Sequence, residues 1–536
     1  MKPLRRNAHV CGLAGVGGLV FTLLLANALT AAAQVSVTTY HYNNQRTGWN
    51  SSETVLTPAN VNASRFGLLA TVAVDDQVDA QPLFVPNVNI TAGNNQGQHD
   101  VVYVVTGNDT VYAIDANSGT VLLSNHMGTP VTYPLGCTQN GPNVGITSTP
   151  VIDLAAGTLY VMAYTQDVSA PAYRLHALNL GSLIDKVTPR IVTGSHTLSN
   201  GTKFVFNATY QRQRPGLLLA NGNVYAGFGS FCDYSANVSR GWLLGWNASS
   251  LDPLSANQVL DTQATSPNTF FLSSIWMSGY GLAADHSGNV VFVTGNSEPS
   301  TYDGVTNIQE SVVKVSSDLT TVVDLFTPWN QPTLDEHDWD FGSGGVLVLP
   351  DQPGSTPHLA VAAGKTGTMF LMNEDDLGGY STTKNNVLGS YKIGGCWCGE
   401  SYFVDPTDGA ARVVSSGAES VEVWKLQTSP SPTLSKVSTS PPVGTGEEGG
   451  FFTSVSSNGE KNPIIWAVSR PASASSNGIA LYAFNPESGG STMSQIFQGA
   501  AGTWPNVGGK SNLVPVVANG KVYVANYKQL LIFGLK

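Results

Sequence analysis

Four residues of this sequence combine reactive chemistry with placement in short turns or connections: Asp233, Asn296, Asp340 and Lys365. They occur in Phe231-Cys232-Asp233, Thr294-Gly295-Asn296, His337-Asp338-Trp339-Asp340 and Gly364-Lys365-Thr366-Gly367. Carboxylate and amide oxygens are the ligands a hard cation prefers. A carboxylate can also take a proton from a hydroxyl, and a lysine can stabilise negative charge developing on a partner. Trp276 adds a flat apolar face. Singly, each has an ordinary structural reading. Asn after Gly suits a tight turn, Lys in a Gly-rich turn suits a solvated tip, and Trp-Asp or a lone Trp suits packing between elements. Chemistry requires that the fold bring them together.

The elements that would do so are short strands. A Val- or aromatic-rich strand, a turn and a second apolar strand recur, the second often closing on Asp or Asn. The pattern is clearest at 101–115 (VVYVVTGNDTVYAID) and returns at 159–179, 223–247, 290–316, 359–373, 412–426, 464–485 and 522–535. From residue 67 to the end, eight copies occupy 470 residues, about 59 each, enough for four strands with their loops. Strands at this spacing without helical periodicity predict an all-β array. Four-stranded sheets repeated radially make a β-propeller, here of eight blades. The Ser/Pro-rich stretch around Ser429–Pro442 reads as a loop rather than as part of a blade.

Closure follows from the two ends. The last copy stops at Lys536 without an outer strand, and Phe66–Val74 (FGLLATVAV) is a spare strand ahead of the first repeat. Pairing them closes the ring. In an up-and-down sheet, the turns between the second and third strands share a face with the connections between blades. Asp233, Asn296 and Lys365 fall in or beside such turns, and Asp340 and Trp276 in connections. That face therefore gathers acids, cysteines and aromatics.

Composition bounds the rest. Charged residues are 11% and hydrophobic ones 42%, which excludes disorder, and long amphipathic helices would need more Lys and Glu. A net charge of −11 argues against a nucleic-acid partner. Residues 1–33 read as a secretory signal: Lys2, Arg5 and Arg6, an apolar run, then Ala31-Ala32-Ala33. Losing those three bases and no acid would move the charge to −14. The expectation is a monomeric protein exported to the periplasm or the extracellular space, with no membrane span after signal removal. Residues 34–65 lead into a single propeller domain, 66–536. In an oxidising compartment Cys137, Cys232, Cys396 and Cys398 are disulfide candidates, and their three possible pairings stay open.

The chain resembles the quinoprotein alcohol dehydrogenase-like (PQQ-like repeat) propellers. Arg46-Thr47-Gly48, Leu56-Thr57-Pro58-Ala59-Asn60-Val61 and the strand after them look like that family's leading segment, and YAIDANSGTVL at 112–122 looks like its repeat element. The resemblance implies PQQ and calcium as cofactors. It implies Asn296, Asp340 and, at an offset position of different residue type, Asp233 as calcium ligands. It further implies Asp340 as the catalytic base, with Lys365 and Trp276 against the cofactor. The sequence departs from the family in having no adjacent Cys-Cys pair and in carrying Leu123 where the repeat element ends in Trp. The implied activity is oxidation of an alcohol or sugar, with electrons passing to a separate acceptor because no haem-binding Cys-x-x-Cys-His occurs. The alternative is a non-catalytic propeller that binds a protein, peptide or glycan on the same face.

Overall fold

The Asp or Asn that closes the third strand of a repeat does so by capping a turn. Asp115 Oδ1 accepts from the amides of Asn117 and Ser118, and Asn247 Oδ1 from those of Ser249 and Ser250. Asn179, Asn373 and Asn485 each accept from the amide two residues on. These side chains supply locally the bonds that turn the chain into its fourth strand. In the computed structural model, residues 34–536 are described apart from 140, 265–269, 445–448, 488–489 and 510. The signal read at residues 1–33 lies outside them.

Eight antiparallel sheets form the ring. Their innermost strands are Leu83–Ile90, Val151–Asp153, Leu218–Ala220, Ala283–Ala284, Val346–Val348, Ser401–Val404, Thr453–Asn458 and Val516–Ala518, numbered here as blades 1 to 8. Blade 8 is completed by Phe66–Gln77, which pairs with Tyr527–Leu535 from Phe66↔Leu535 to Gln77↔Tyr527. The predicted closure is thus observed. The second strand of each blade is buried on both faces along most of its length, because each sheet packs between two others. The stretch read as a loop around Ser429–Pro442 is corrected. Thr433–Thr439 pairs with Glu422–Gln427 as the outer strand of blade 6. It was missed because this outer strand buries only Leu434 and Ser438 and carries little apolar signal.

The N-terminal segment fills the axis. Val37 pairs with Phe84 of blade 1, and Thr38 O accepts from Ile152 of blade 2. The Asn44 side chain donates to Leu219 O of blade 3, and its carbonyl accepts from Ala284 of blade 4. Gln45, Thr47 and Gly48 accept from Val348, Tyr402 and Val455 of blades 5, 6 and 7, and Asn50 Nδ2 donates to Val517 O of blade 8. One lap thus supplies backbone partners to innermost strands that have no sheet neighbour on the axial side. Arg46 sits at the centre, fully buried, donating to Leu282 O, Leu217 O, Tyr40 O, Asn43 O and Thr39 Oγ1.

Near it lies Glu400, also fully buried, whose carboxylate oxygens have no hydrogen-bond partner. Burial pushes its pKa from 4.5 up to about 7. A carboxyl whose folded pKa is raised destabilises the fold once it is ionised, so stability falls as pH rises from 4.5 to 7. Glu400→Gln is expected to be more stable than the parent by about 3 kcal/mol at pH 8, with the gap closing toward pH 4.5. Urea denaturation at the two pH values checks it; an equal gap at both would contradict the assignment.

Candidate functional site

Three backbone segments meet face to face to build the site. The turn after Val290–Val293 carries Asn296, the connection from blade 4 to blade 5 carries Asp338 and Asp340, and the turn after Leu359–Ala363 carries Lys365. Glycines permit the approach. A Cβ on Gly342 would lie 2.4 Å from the amide nitrogen of Gly295, and one on Gly364 would lie 2.6 Å from Phe341 Cα. The connection contains a short helix, Gln331–His337, that the sequence reading did not foresee. Its cap, Asp338, takes left-handed φ and ψ of 55° and 41° and directs the chain to Asp340.

The resulting bonds are tight. Asp340 is 4% exposed; its Oδ1 accepts from the Asn296 amide at 2.7 Å, and its Oδ2 lies 2.5 Å from Lys365 Nζ. Lys365 Nζ also lies 3.2 Å from Asp338 Oδ2, and Asn296 Nδ2 donates to Asp338 Oδ1 at 2.9 Å. Burial opposes the charge on Lys365, but Asp340 and Asp338 outweigh it and raise its pKa, so the ammonium persists. The indole rings of Trp276 and Trp397 lie 5.8 and 5.7 Å from Nζ.

These groups line a cavity of about 340 Å³ together with Arg212, Arg214, Ser230, Cys232, Asp233 and Ser274. All five site residues expected from the sequence, Asp233, Asn296, Asp340, Lys365 and Trp276, face this one cavity. Asp233 receives Ser230 Oγ as a hydrogen-bond donor; burial, then the charges of Asp340 and Asp338, push its pKa up to about 6. The disulfides are Cys137–Cys232, across 95 residues, and Cys396–Cys398. The first anchors the connection between blades 1 and 2 to the cavity wall beside Asp233, and the second brackets Trp397. Trp504, in the connection between blades 7 and 8, is fully buried in the core there and does not reach the cavity lining.

Several residues of the site were not legible beforehand. Glu310 is buried behind Asp340 and accepts from the Phe341 amide through Oε2, while Oε1 has no partner. Burial, followed by Asp340 and Asp335, raises its pKa well above the usual range. Asp335, bonded to Ser297 N and Gln309 Nε2, is pushed by burial to about 8. Arg212 and Arg214 reach the cavity because the innermost strand of blade 3 is interrupted. Arg212–Gln213 and Leu218–Ala220 pair with the same neighbour, and the chain detours between them. Burial, then the neighbouring Arg212, lowers Arg214 to about 9. The one signal for this pair was two arginines within a single connection of a chain poor in charge.

The site thus combines acidic and basic groups. Five carboxyls, Asp233, Glu310, Asp335, Asp338 and Asp340, cluster around one ammonium, with pKa values raised on four of them; their oxygens and that of Asn296 fit a hard cation. Arg212 and Arg214, both buried, line the same cavity and fit an anionic group; burial first, and then Arg212, lowers Arg214. Trp276, 5.6 Å from the Arg214 guanidinium and 5.8 Å from Lys365 Nζ, and Trp397 fit a flat ring.

No family model matches the sequence, and no curated protein does. Solved structures do match. The quinohemoprotein alcohol dehydrogenase of Comamonas testosteroni is 12% identical at a TM-score of 0.59, over 94% of this chain and 81% of that one. The quinohemoprotein alcohol dehydrogenase ADHIIG of Pseudomonas putida HK5 is 13% identical at 0.57, over 94% and 80%. A europium-containing methanol dehydrogenase is 10% identical at 0.57, over 93% and 98%. What the chain shares with them at this identity is architecture: it has the eight-bladed β-propeller fold of these dehydrogenases.

Proposed function

We propose that this propeller is an exported dehydrogenase that oxidises an alcohol or sugar with a PQQ-type quinone and a calcium ion in the cavity. The observation that carries the reading is the Asp340 carboxylate, buried at a cavity wall between Asn296 and Lys365. Asp340, Asn296 and Asp233 would hold the cation, Arg212 and Arg214 would meet the carboxylates of the quinone, and Trp276 and Trp397 would flank its ring. When bound, the quinone supplies the two-electron acceptor. Asp340 accepts the proton of the substrate hydroxyl, and the buried setting keeps competing water from that proton. Lys365 holds its positive charge beside both Asp340 and the place where negative charge develops. No helix among the described residues is long and apolar enough to cross a membrane.

Calorimetric titration of PQQ into the purified protein, with and without calcium, tests the proposal. Calcium-dependent binding is expected, and Asp340→Ala and Asn296→Ala are each expected to weaken it at least tenfold. Absence of binding at high protein concentration would overturn it and leave a propeller that binds a protein, peptide or glycan on the same face.

A further inference from the structure

A second group of metal-ligating side chains lies away from this cavity. His286 follows the innermost strand of blade 4, His358 immediately precedes Leu359–Ala363 of blade 5, and Asp375 follows Thr368–Asn373 of the same blade. These are turns between first and second, or third and fourth, strands. They therefore belong to the face opposite the one that carries Asn296 and Lys365.

The Asp375 carboxylate lies beside the pair of imidazoles, 2.9 Å from His358 Nδ1 and 3.9 Å from His286 Nε2. One ligand atom from each residue can be chosen so that all lie within 4.8 Å of one another. A tetrahedral zinc ion with bonds of 2.0–2.1 Å places its ligand atoms about 3.3 Å apart, between the two Asp375 separations. All three side chains are partly exposed, so small rotations suffice to close the set.

His286 is already oriented for such a role. Its Nδ1 bonds Glu374 Oε1 at 2.9 Å, and the Glu374 side chain is only 2% exposed, so the ring turns Nε2 toward Asp375. A carboxylate behind a ligating histidine is the arrangement that fixes tautomer and ring direction in metal sites. Glu374 is fixed in turn: its amide donates to His358 O at 2.9 Å, and its carbonyl accepts from Lys314 Nζ. The imidazoles stack with centroids 3.6 Å apart and planes inclined by 29°. Two protonated rings at that distance repel, whereas two neutral rings sharing one cation do not.

The local charge also calls for a cation. Asp285, Asp351, Glu374 and Asp375 surround the pair, opposed by Lys314, which lies 3.3 Å from Asp285 Oδ2.

We propose that His286, His358 and Asp375 form a metal site for a borderline divalent ion, Zn²⁺ or Cu²⁺, that clasps blade 4 to blade 5 on the face opposite the cavity. Two imidazoles and one carboxylate leave at least one position for water, so the ion is exchangeable rather than caged. The proposal does not depend on the dehydrogenase reading. Glu374 is a positioning residue.

The test is calorimetric titration of ZnCl₂ into untagged, EDTA-treated protein, with thermal unfolding in parallel. One zinc per chain is expected, together with a rise in Tm. His286→Ala, His358→Ala and Asp375→Asn are each expected to weaken binding by about 100-fold, and Glu374→Gln by about 10- to 100-fold. Cu²⁺ should give an electron paramagnetic resonance spectrum with two-nitrogen coupling that drops to one nitrogen in either histidine variant. Asp340→Ala should leave zinc binding unchanged, which separates this site from the cavity. Asp375→Asn alters an exposed side chain and serves as the folded comparison if a histidine variant is unstable. Zinc affinity unchanged in Asp375→Asn, or a copper spectrum without nitrogen coupling, would overturn the proposal.

Discussion

Asp340→Asn is expected to lower kcat/KM for alcohol oxidation by about 10²- to 10⁴-fold, the range a positioned general base contributes. The substitution is chosen to isolate proton transfer. Asparagine keeps an oxygen that can accept from the Asn296 amide and can still face a cation, but it cannot take up the substrate proton. PQQ and calcium should therefore bind within about tenfold of the parent while turnover collapses. The check is a dye-linked assay on protein reconstituted with PQQ and calcium, beside calorimetry on the same sample. A variant that retained full turnover would remove Asp340 from the chemistry. One that lost cofactor binding and turnover together would make it a ligand only.

The largest effect on stability is expected at Arg46. Alanine there would leave four carbonyl oxygens and the Thr39 hydroxyl without their buried donor, and would open a cavity on the axis of the ring. Each orphaned buried acceptor costs about 1–3 kcal/mol, and the losses overlap, so a total on the order of 5 kcal/mol is expected. Lysine keeps the charge but lacks the planar fork, so Arg46→Lys should fall between alanine and the parent. Guanidinium unfolding midpoints of the three proteins decide the matter. A loss below roughly 1 kcal/mol in Arg46→Ala would mean that the segment at the axis is not needed to hold the blades.

The two effects draw on one design. Arg46 ties the N-terminal segment to blades 3 and 4, and the blade 4 turn and the connection beyond it present Asn296 and Asp340. The lap of residues 37–50 past all eight innermost strands explains how a ring with short inner strands holds the site segments in register.

The central hairpins were legible because their information is local. Val101–Val105 and Val290–Val293 are apolar on both faces, and Asp115 and Asn247 cap the turns that follow their repeats. Closure was legible because Phe66–Val74 was a strand without a partner and the last repeat lacked one. Asn296, Asp340 and Lys365 were singled out by resemblance to family segments, and the strand pattern, which puts their turns and connections on one face, gave them a shared site. Thr433–Thr439 escaped because only Leu434 and Ser438 are buried and Ser, Lys and Thr make up most of the rest, which gives no apolar run.

What the sequence determined by itself was the repeat, the ring and which face carries the reactive residues, since each follows from strands and turns a few residues long. What only the tertiary structure decided was which groups meet. Glu310 and Asp335 reach Asp340 from separate segments, and Arg212 and Arg214 reach the cavity through an interrupted strand. The choice of Cys137–Cys232 among the possible pairings spans 95 residues. His286 meets His358 and Asp375 across a blade boundary. Such contacts depend on the summed rotation of whole blades about the axis, a quantity to which no local stretch of sequence corresponds.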